Sequence, residues 1–331
     1  MTHLTLPDTK PRRLPFFLAM EEWAARHLPA EEDYLFTWVV GPTVICGRHQ
    51  DIAAEFDLDF CRKADIDIVR RRSGGGAVFA NADNIMVSLV TADTDVERAF
   101  ARFTRTIATQ LRHLGIDAEV SGRNDITVGG SKISGSAFLH LPGRSVVHCT
   151  MLFDTDAETM RRALTPARAK LLSKGVTSVE SRIVTARELM PSLTRDALRE
   201  GLLSGLTTGE RRLTEAEVAE IEAMAREYDR EDWLWRHGRD HGAQASRTMR
   251  IESAGTMTVR VAVDAAGRIA DVKLSGDFFE RDADALAQLL SGLRGVAPTA
   301  EALCEALRTT DVSRIISGLS TEQFINLITN N

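Results

Sequence analysis

Several protein classes are excluded by what this sequence lacks. Its four cysteines, Cys46, Cys61, Cys149 and Cys304, stand far apart and form no CxxC pair, which argues against a zinc knuckle or a disulfide framework and fits a reducing cytoplasm. Positive charge is not in excess. Lysine and arginine total 41 against 47 acidic residues, a formal net charge of -6, so the chain is not equipped as a dedicated nucleic-acid binder. No run of about eighteen apolar residues occurs, and the opening stretch MTHLTLPDTKPRRLP carries no apolar signal core, so neither a membrane span nor secretion is expected. No internal repeat is evident. What the chain does have is 331 residues at 44% hydrophobic content, enough for one large domain and a smaller one.

Read for periodicity, the chain is mixed α/β. PFFLAMEEWAARHL (15–28) is spaced as a helix, and DYLFTWVV and TVICGR read as strands around the turn Gly41-Pro42. DIDIV alternates, ends in Arg70-Arg71-Arg72 and passes through Gly74-Gly75-Gly76 towards the strand IMVSLV. Phe100, Phe103, Ile107, Leu111 and Leu114 form one helical stripe that Gly115 stops. Three short strands follow as a meander: NDITV, SKISGSAF after Gly129-Gly130, and SVVHCTMLF after Pro142-Gly143. A capping box at Thr214 and Glu217 starts another helix. Periodicity then fades through WLWRHGRDHGAQAS, which reads as a hinge, with His237 and His241 as linker residues rather than metal ligands. This places a boundary near 245, between a domain at 1–245 and an α+β appendage at 246–331 built from a hairpin and two helices.

Strict alternation sets Lys132, Ser134 and Ser136 on one face of the meander, with Asp125, Thr127, His148 and Thr150, while Cys149 joins the apolar set Val147, Met151 and Phe153. That polar face reads either as wet surface or as one wall of a site. Glycine triplets are commonly plain turns, and RRRSGGGAVF lacks the Gly-Lys-Ser/Thr ending of a Walker loop. With arginines before it, the triplet also suits close backbone approach to a phosphorylated ligand and bidentate guanidinium contact.

RRRSGGGAVF, GRNDITV, KISGSAF, HCTMLF and KGVTSVESR, in this order and spacing, closely resemble lipoate-protein ligase A. The resemblance implies mixed, largely antiparallel sheets with flanking helices, similar to biotin protein ligases. It implies activation of lipoate by ATP to lipoyl-AMP with release of pyrophosphate, then transfer to a lysine of an acceptor. By resemblance, Lys132 is the catalytic lysine, touching the lipoyl carbonyl and the adenylate phosphate. Arg70, Arg71, Ser73, Gly74, Gly75, Gly76, Ala77, Val78, Phe79, Asn124, Asp125, Ser134 and Lys174 bind the nucleotide or adenylate, and His148 and Thr150 line the lipoate pocket. Arg72, where a small polar residue is usual, reads as solvated surface. Ala80-Asn81, Asp51 and Thr185 depart from the family's usual residues. Magnesium is the implied activator, with Asp125 either holding it or accepting from the adenine amino group. The implied partners are lipoyl-domain proteins: E2 subunits of 2-oxoacid dehydrogenases, the glycine cleavage H protein or a related lipoate-binding protein. The resemblance also leads us to expect a cytoplasmic monomer.

Two rival readings stay open. An octanoyl or lipoyl transferase of the same fold would need a nucleophilic cysteine, which IDAEVSGRNDITV does not contain. A silent lipoate-binding protein would have no need of Lys132 and Asp125. Since the candidate residues fall between Arg70 and Lys174, the appendage is expected to gate the site rather than supply catalytic groups.

Overall fold

The structure is a computed structural model, and the described residues are 1–122, 124–164, 183–237 and 246–329. Among them an eight-stranded sheet runs in the order β11-β1-β2-β6-β10-β9-β8-β7. Its strands are β1 (Thr2–Thr5), β2 (Tyr34–Trp38), β6 (Ile85–Thr91), β7 (Glu119–Ser121), β8 (Asp125–Val128), β9 (Ser131–Leu141), β10 (Arg144–Met151) and β11 (Gly209–Arg212). Pairing is antiparallel from β2 to β7, and β1 is parallel to both neighbours. The expected mixed, largely antiparallel α/β architecture is therefore observed.

Alternation along the strands divides the core between the two faces of this sheet. Leu35, Val87, Leu89, Val147 and Cys149 pack with the helix Val96–His113 on one side. Tyr34, Phe36, Met86, Val90 and Val146 pack with the helix Leu14–His27 on the other. That second helix carries Pro15 in its first turn, where the missing amide costs nothing. A small sheet, β4-β3-β5, covers the same side, with β3 at Thr43–Cys46, β4 at Asp67–Arg70 and β5 at Val78–Ala80. The two segments flanking Gly41-Pro42 thus enter different sheets and make no hairpin, because β2 pairs with β6 and β3 with β4 and β5. The meander forms as expected. Gly129 and Gly130, at φ of 55° and 81°, make the left-handed turn between β8 and β9.

The C-terminal part is an antiparallel sheet of β12 (Ser246–Ile251), β13 (Gly255–Val263) and β14 (Ile269–Gly276), with helices Ala283–Gly292, Ala300–Ala306 and Thr321–Thr329. It has a core of its own. Phe279 leaves that core, stacks on Phe138 at 4.9 Å and joins the cluster under the large sheet. The appendage is docked firmly. Phe278 carbonyl accepts the Gly75 amide at 3.1 Å and His49 carbonyl accepts that of Gly276 at 2.9 Å. Glu280 pairs with Arg48 at 3.2 Å and His49 at 2.8 Å.

Candidate active site

A cavity of about 710 Å³ opens between the meander, the helix Leu14–His27, the end of the glycine loop and the C-terminal sheet. One end is apolar, lined by Leu14, Leu18, Trp38, Ile45, Val78 and Met86. The other is polar. Asn124, Asp125, Thr127 and Lys132 lie there, with His148 and Thr150 along the same wall. Such a shape suits a ligand with an apolar tail and an anionic, hydrogen-bonding head.

Lys132 reaches this wall through a departure from simple alternation. Ile126 pairs with Ser134 and Thr127 with Lys132, so one step on β8 matches two on β9 and Ile133 is the extra residue of a bulge. The bulge puts Lys132 on the cavity face with Gly135 and Ala137, which lie opposite Thr150 and His148. It also removes Ser134 from that face. Ser134 is fully buried, does not line the cavity, and lies beside the Cys149 thiol. Lys132 Nζ meets Asp125 Oδ1 at 2.7 Å, and its chain passes over Gly135, where a Cβ would stand 2.4 Å from Nζ. Gly135 is therefore the space in which the lysine lies. Asn124 Nδ2 donates to the Ser136 carbonyl at 2.9 Å, while the Ser136 amide donates to the Asn124 carbonyl.

The glycine-loop wall differs from its sequence expectation. Arg70 is 1% exposed and does not line the cavity. Its Nη1 donates to the carbonyls of Gly47, Arg48 and Gln50, and its Nε to that of Leu234. It braces the fold. Arg71 lines the cavity, but it donates to Ser73 Oγ and to the carbonyls of Ile45, Gly74 and Gly76. Burial pulls its guanidinium down to about 10, still charged at neutral pH. Gly76, Ala77 and Val78 line the cavity; Ser73, Gly74, Gly75 and Phe79 do not. A Cβ on Gly74 would stand 2.4 Å from the Phe278 carbonyl oxygen, and one on Gly75 would stand 2.8 Å from the Phe279 ring. Both glycines make room for the C-terminal segment. Phe79 packs with Val44 and Cys46. Arg72 is not solvated surface either: it pairs with buried Glu22 at 2.7 Å and lies over the Tyr228 ring. Lys174 lies outside the described residues, as does His241.

Behind the apolar end runs a buried polar chain. Arg71 can only donate, so Ser73 Oγ accepts from its Nε at 2.9 Å and is free to donate to His148 Nε2 at 3.1 Å. His148 Nδ1 then donates to Glu21 at 3.0 Å, and Glu21 also accepts from Ser88 Oγ at 2.5 Å. These partners fix one imidazole tautomer and orient the ring. Glu21 escaped sequence reasoning, though two adjacent glutamates in an otherwise apolar helix were an available signal. Leu14, Leu18, Trp38 and Met86 carried only a core signal.

Arg250 of β12, with Glu252 just after it and Asp277 just after β14, also lines the cavity. No motif in the appendage announced this wall. His237 is packed against the catalytic part rather than being a free linker, its Nε2 3.3 Å from the Arg48 carbonyl. Trp233 Nε1 donates to the Arg70 carbonyl at 3.0 Å, so the described part of the expected hinge is anchored. No cysteine lines the cavity. Burial pushes the Cys149 thiol up to about 12.

Comparison with known proteins agrees with this geometry. The family described as the lipoyl protein ligase A/B catalytic domain matches residues 15–207, and the bacterial lipoate protein ligase C-terminus matches 242–328. The chain belongs to the lipoyl protein ligase A/B family. It is 32% identical over 321 residues to a lipoate-protein ligase of Bacillus subtilis, covering 94% of this chain and 95% of that one. It is 33% identical over 279 residues to a probable lipoate-protein ligase A of Mycoplasma pneumoniae, covering 82% of each. Among solved structures, P. falciparum LipL1 in complex with lipoate shares the fold, with a TM-score of 0.78 at 18% identity, covering 100% of this chain and 98% of that one. A lipoate-protein ligase A bound with ATP superposes with a TM-score of 0.60 at 27% identity, covering 70% of this chain and 98% of that one.

Proposed function

We propose that this protein is an ATP-dependent lipoate-protein ligase, with residues 1–245 carrying the chemistry and 246–331 as an accessory domain. In the first step a lipoate carboxylate oxygen attacks the α-phosphorus of ATP, forming the mixed anhydride lipoyl-AMP and expelling pyrophosphate. In the second, the amine of an acceptor lysine attacks the lipoyl carbonyl, forming an amide and releasing AMP and a proton. The acceptor is a lipoyl-domain protein, such as an E2 subunit or a glycine cleavage H protein. One solved relative, from Thermoplasma acidophilum, is described as a bipartite ligase with its E2 lipoyl domain.

The observation that carries this reading is the placement of the Lys132 ammonium, held by Asp125, at the polar end of a cavity whose other end is apolar. Carboxylate and phosphate repel as they meet, and a fixed cation where their charge gathers lowers that barrier. Asn124 and Asp125 face the adenylate, and His148 and Thr150 flank the lipoyl chain. Ser73 acts on the pocket indirectly, by holding His148. Among the described residues no group of three or more His, Cys, Asp or Glu could cage a metal ion. A single carboxylate such as Asp125, which also holds the Lys132 ammonium, suits magnesium that is held mainly by the nucleotide's own phosphates. Among the described residues no helix is long and apolar enough to cross a membrane, and we propose a cytoplasmic monomer.

Lipoate-dependent exchange of pyrophosphate into ATP tests the reading. Exchange that requires lipoate is the expected result. Its absence from folded protein that still binds lipoate would leave a binding protein or a transferase.

A further inference from the structure

We propose that Arg250, on strand β12 of the C-terminal domain, is a ligand for the pyrophosphate half of the bound nucleotide; this rests on the ligase reading. ATP brings about four negative charges at neutral pH, and enzymes meet such phosphates with guanidinium, ammonium and metal. Among the described residues, the arginines and lysines lining the cavity are Arg71, Lys132 and Arg250. Arg71 donates from all three of its nitrogens to the protein itself, and Arg70 is outside the cavity. Lys132 is assigned to the α-phosphate and the lipoyl carbonyl. Among the described residues, Arg250 is the cation left for the β- and γ-phosphates.

The geometry of Arg250 suits this role. It lines the wall contributed by the C-terminal sheet and retains 29% side-chain exposure. Its hydrogen bond, to Thr256 Oγ1 at 3.2 Å, and its ion pair, to Asp277 at 3.9 Å, both go through Nη1. The ion pair is too long to be a hydrogen bond, so Asp277 steers the guanidinium without saturating it. Asp277 is itself held, accepting the Thr256 amide at 2.6 Å. Glu252 and Asp277 would repel bare phosphates, so the nucleotide enters as its magnesium complex.

The test uses the full chain and compares calorimetric affinity for magnesium ATP with affinity for AMP, alongside exchange kinetics. Arg250→Ala is expected to weaken ATP about tenfold or more, the effect of losing a charge-assisted hydrogen bond. AMP affinity and the KM for lipoate should move by less than about twofold, within the scatter of unrelated surface substitutions. Arg250→Lys keeps the charge and should recover part of the loss, which separates a phosphate role from a fold defect. ATP affinity within about twofold of wild type, or an equal loss for ATP and AMP, would overturn the assignment. Wild-type protein that neither binds ATP nor exchanges would remove the ligase reading as well; normal wild-type exchange with an unaffected variant removes only Arg250.

Discussion

The two walls of the cavity use positive charge in opposite ways. On the glycine-loop side, Arg71 in the cavity wall and Arg70 outside the cavity are 4% and 1% exposed and donate chiefly to backbone carbonyls. On the meander wall, Lys132 keeps 28% side-chain exposure and has one acid beside it. A buried guanidinium whose donors are used up shapes a loop, whereas a partly exposed ammonium can still receive a ligand. The same residue class therefore serves stability on one side and chemistry on the other.

The sharpest way to break this contrast is Lys132→Ala. Exchange should fall about a thousandfold, on the order of 4 kcal/mol in the barrier, while the thermal midpoint stays within about 2 °C because the Asp125 pair is partly exposed. A large drop in melting temperature would give the lysine a structural job instead. Arg70→Ala should behave in the reverse sense. Four carbonyl contacts vanish from a buried site, so a stability loss of about 3 kcal/mol is expected in denaturant titration. Gly135→Ala sharpens the comparison further. Its new Cβ has to displace the flexible end of Lys132 and little else, so exchange should fall about tenfold with an unchanged unfolding midpoint.

The smallest effect is in acid. Burial, reinforced by the charges of Arg70 and Arg236, pulls His237 down to about 3. Its folded value lies below its ordinary one near 6.5, so between those values the unfolded chain binds more protons. The stability His237 contributes is complete above about pH 6.5 and is lost as pH falls towards 3. His237→Gln should reduce the stability lost between about pH 7 and pH 5.5 by about 1 kcal/mol, read from urea midpoints at the two values. An identical acid slope in both proteins would mean that His237 is solvated.

Local pattern carried much of the fold to the reader. Three strands separated by glycine turns, one polar face bearing His148 and Thr150, and a helical stripe from Phe100 to Leu114 all follow from spacing, and all form. Period-two counting failed at Ile133, because a bulge is set by the partner strand's register and leaves no mark in the sequence of β9 itself. It therefore placed Ser134 beside Lys132. The arginine run departs from its expectation for a related reason: guanidinium next to glycine is compatible with phosphate or with carbonyl oxygens, and only tertiary packing chooses. Gly74 and Gly75 are glycines because Phe278 and Phe279 arrive from two hundred residues away, a contact no local window contains. The wall formed by Arg250, Glu252 and Asp277 is invisible on the same ground.

The lining of the cavity has one more consequence, in sulfur chemistry. Lipoate ends in a five-membered cyclic disulfide, which any nearby thiolate would open by exchange, leaving the cofactor tethered to the enzyme. No cysteine lines the cavity, and Cys149, one residue from both His148 and Thr150, faces the opposite side of the sheet with its thiol held protonated by burial. The strand's alternation thus keeps a reducing group off its own substrate, and the ring can be carried through both steps with its oxidation state untouched.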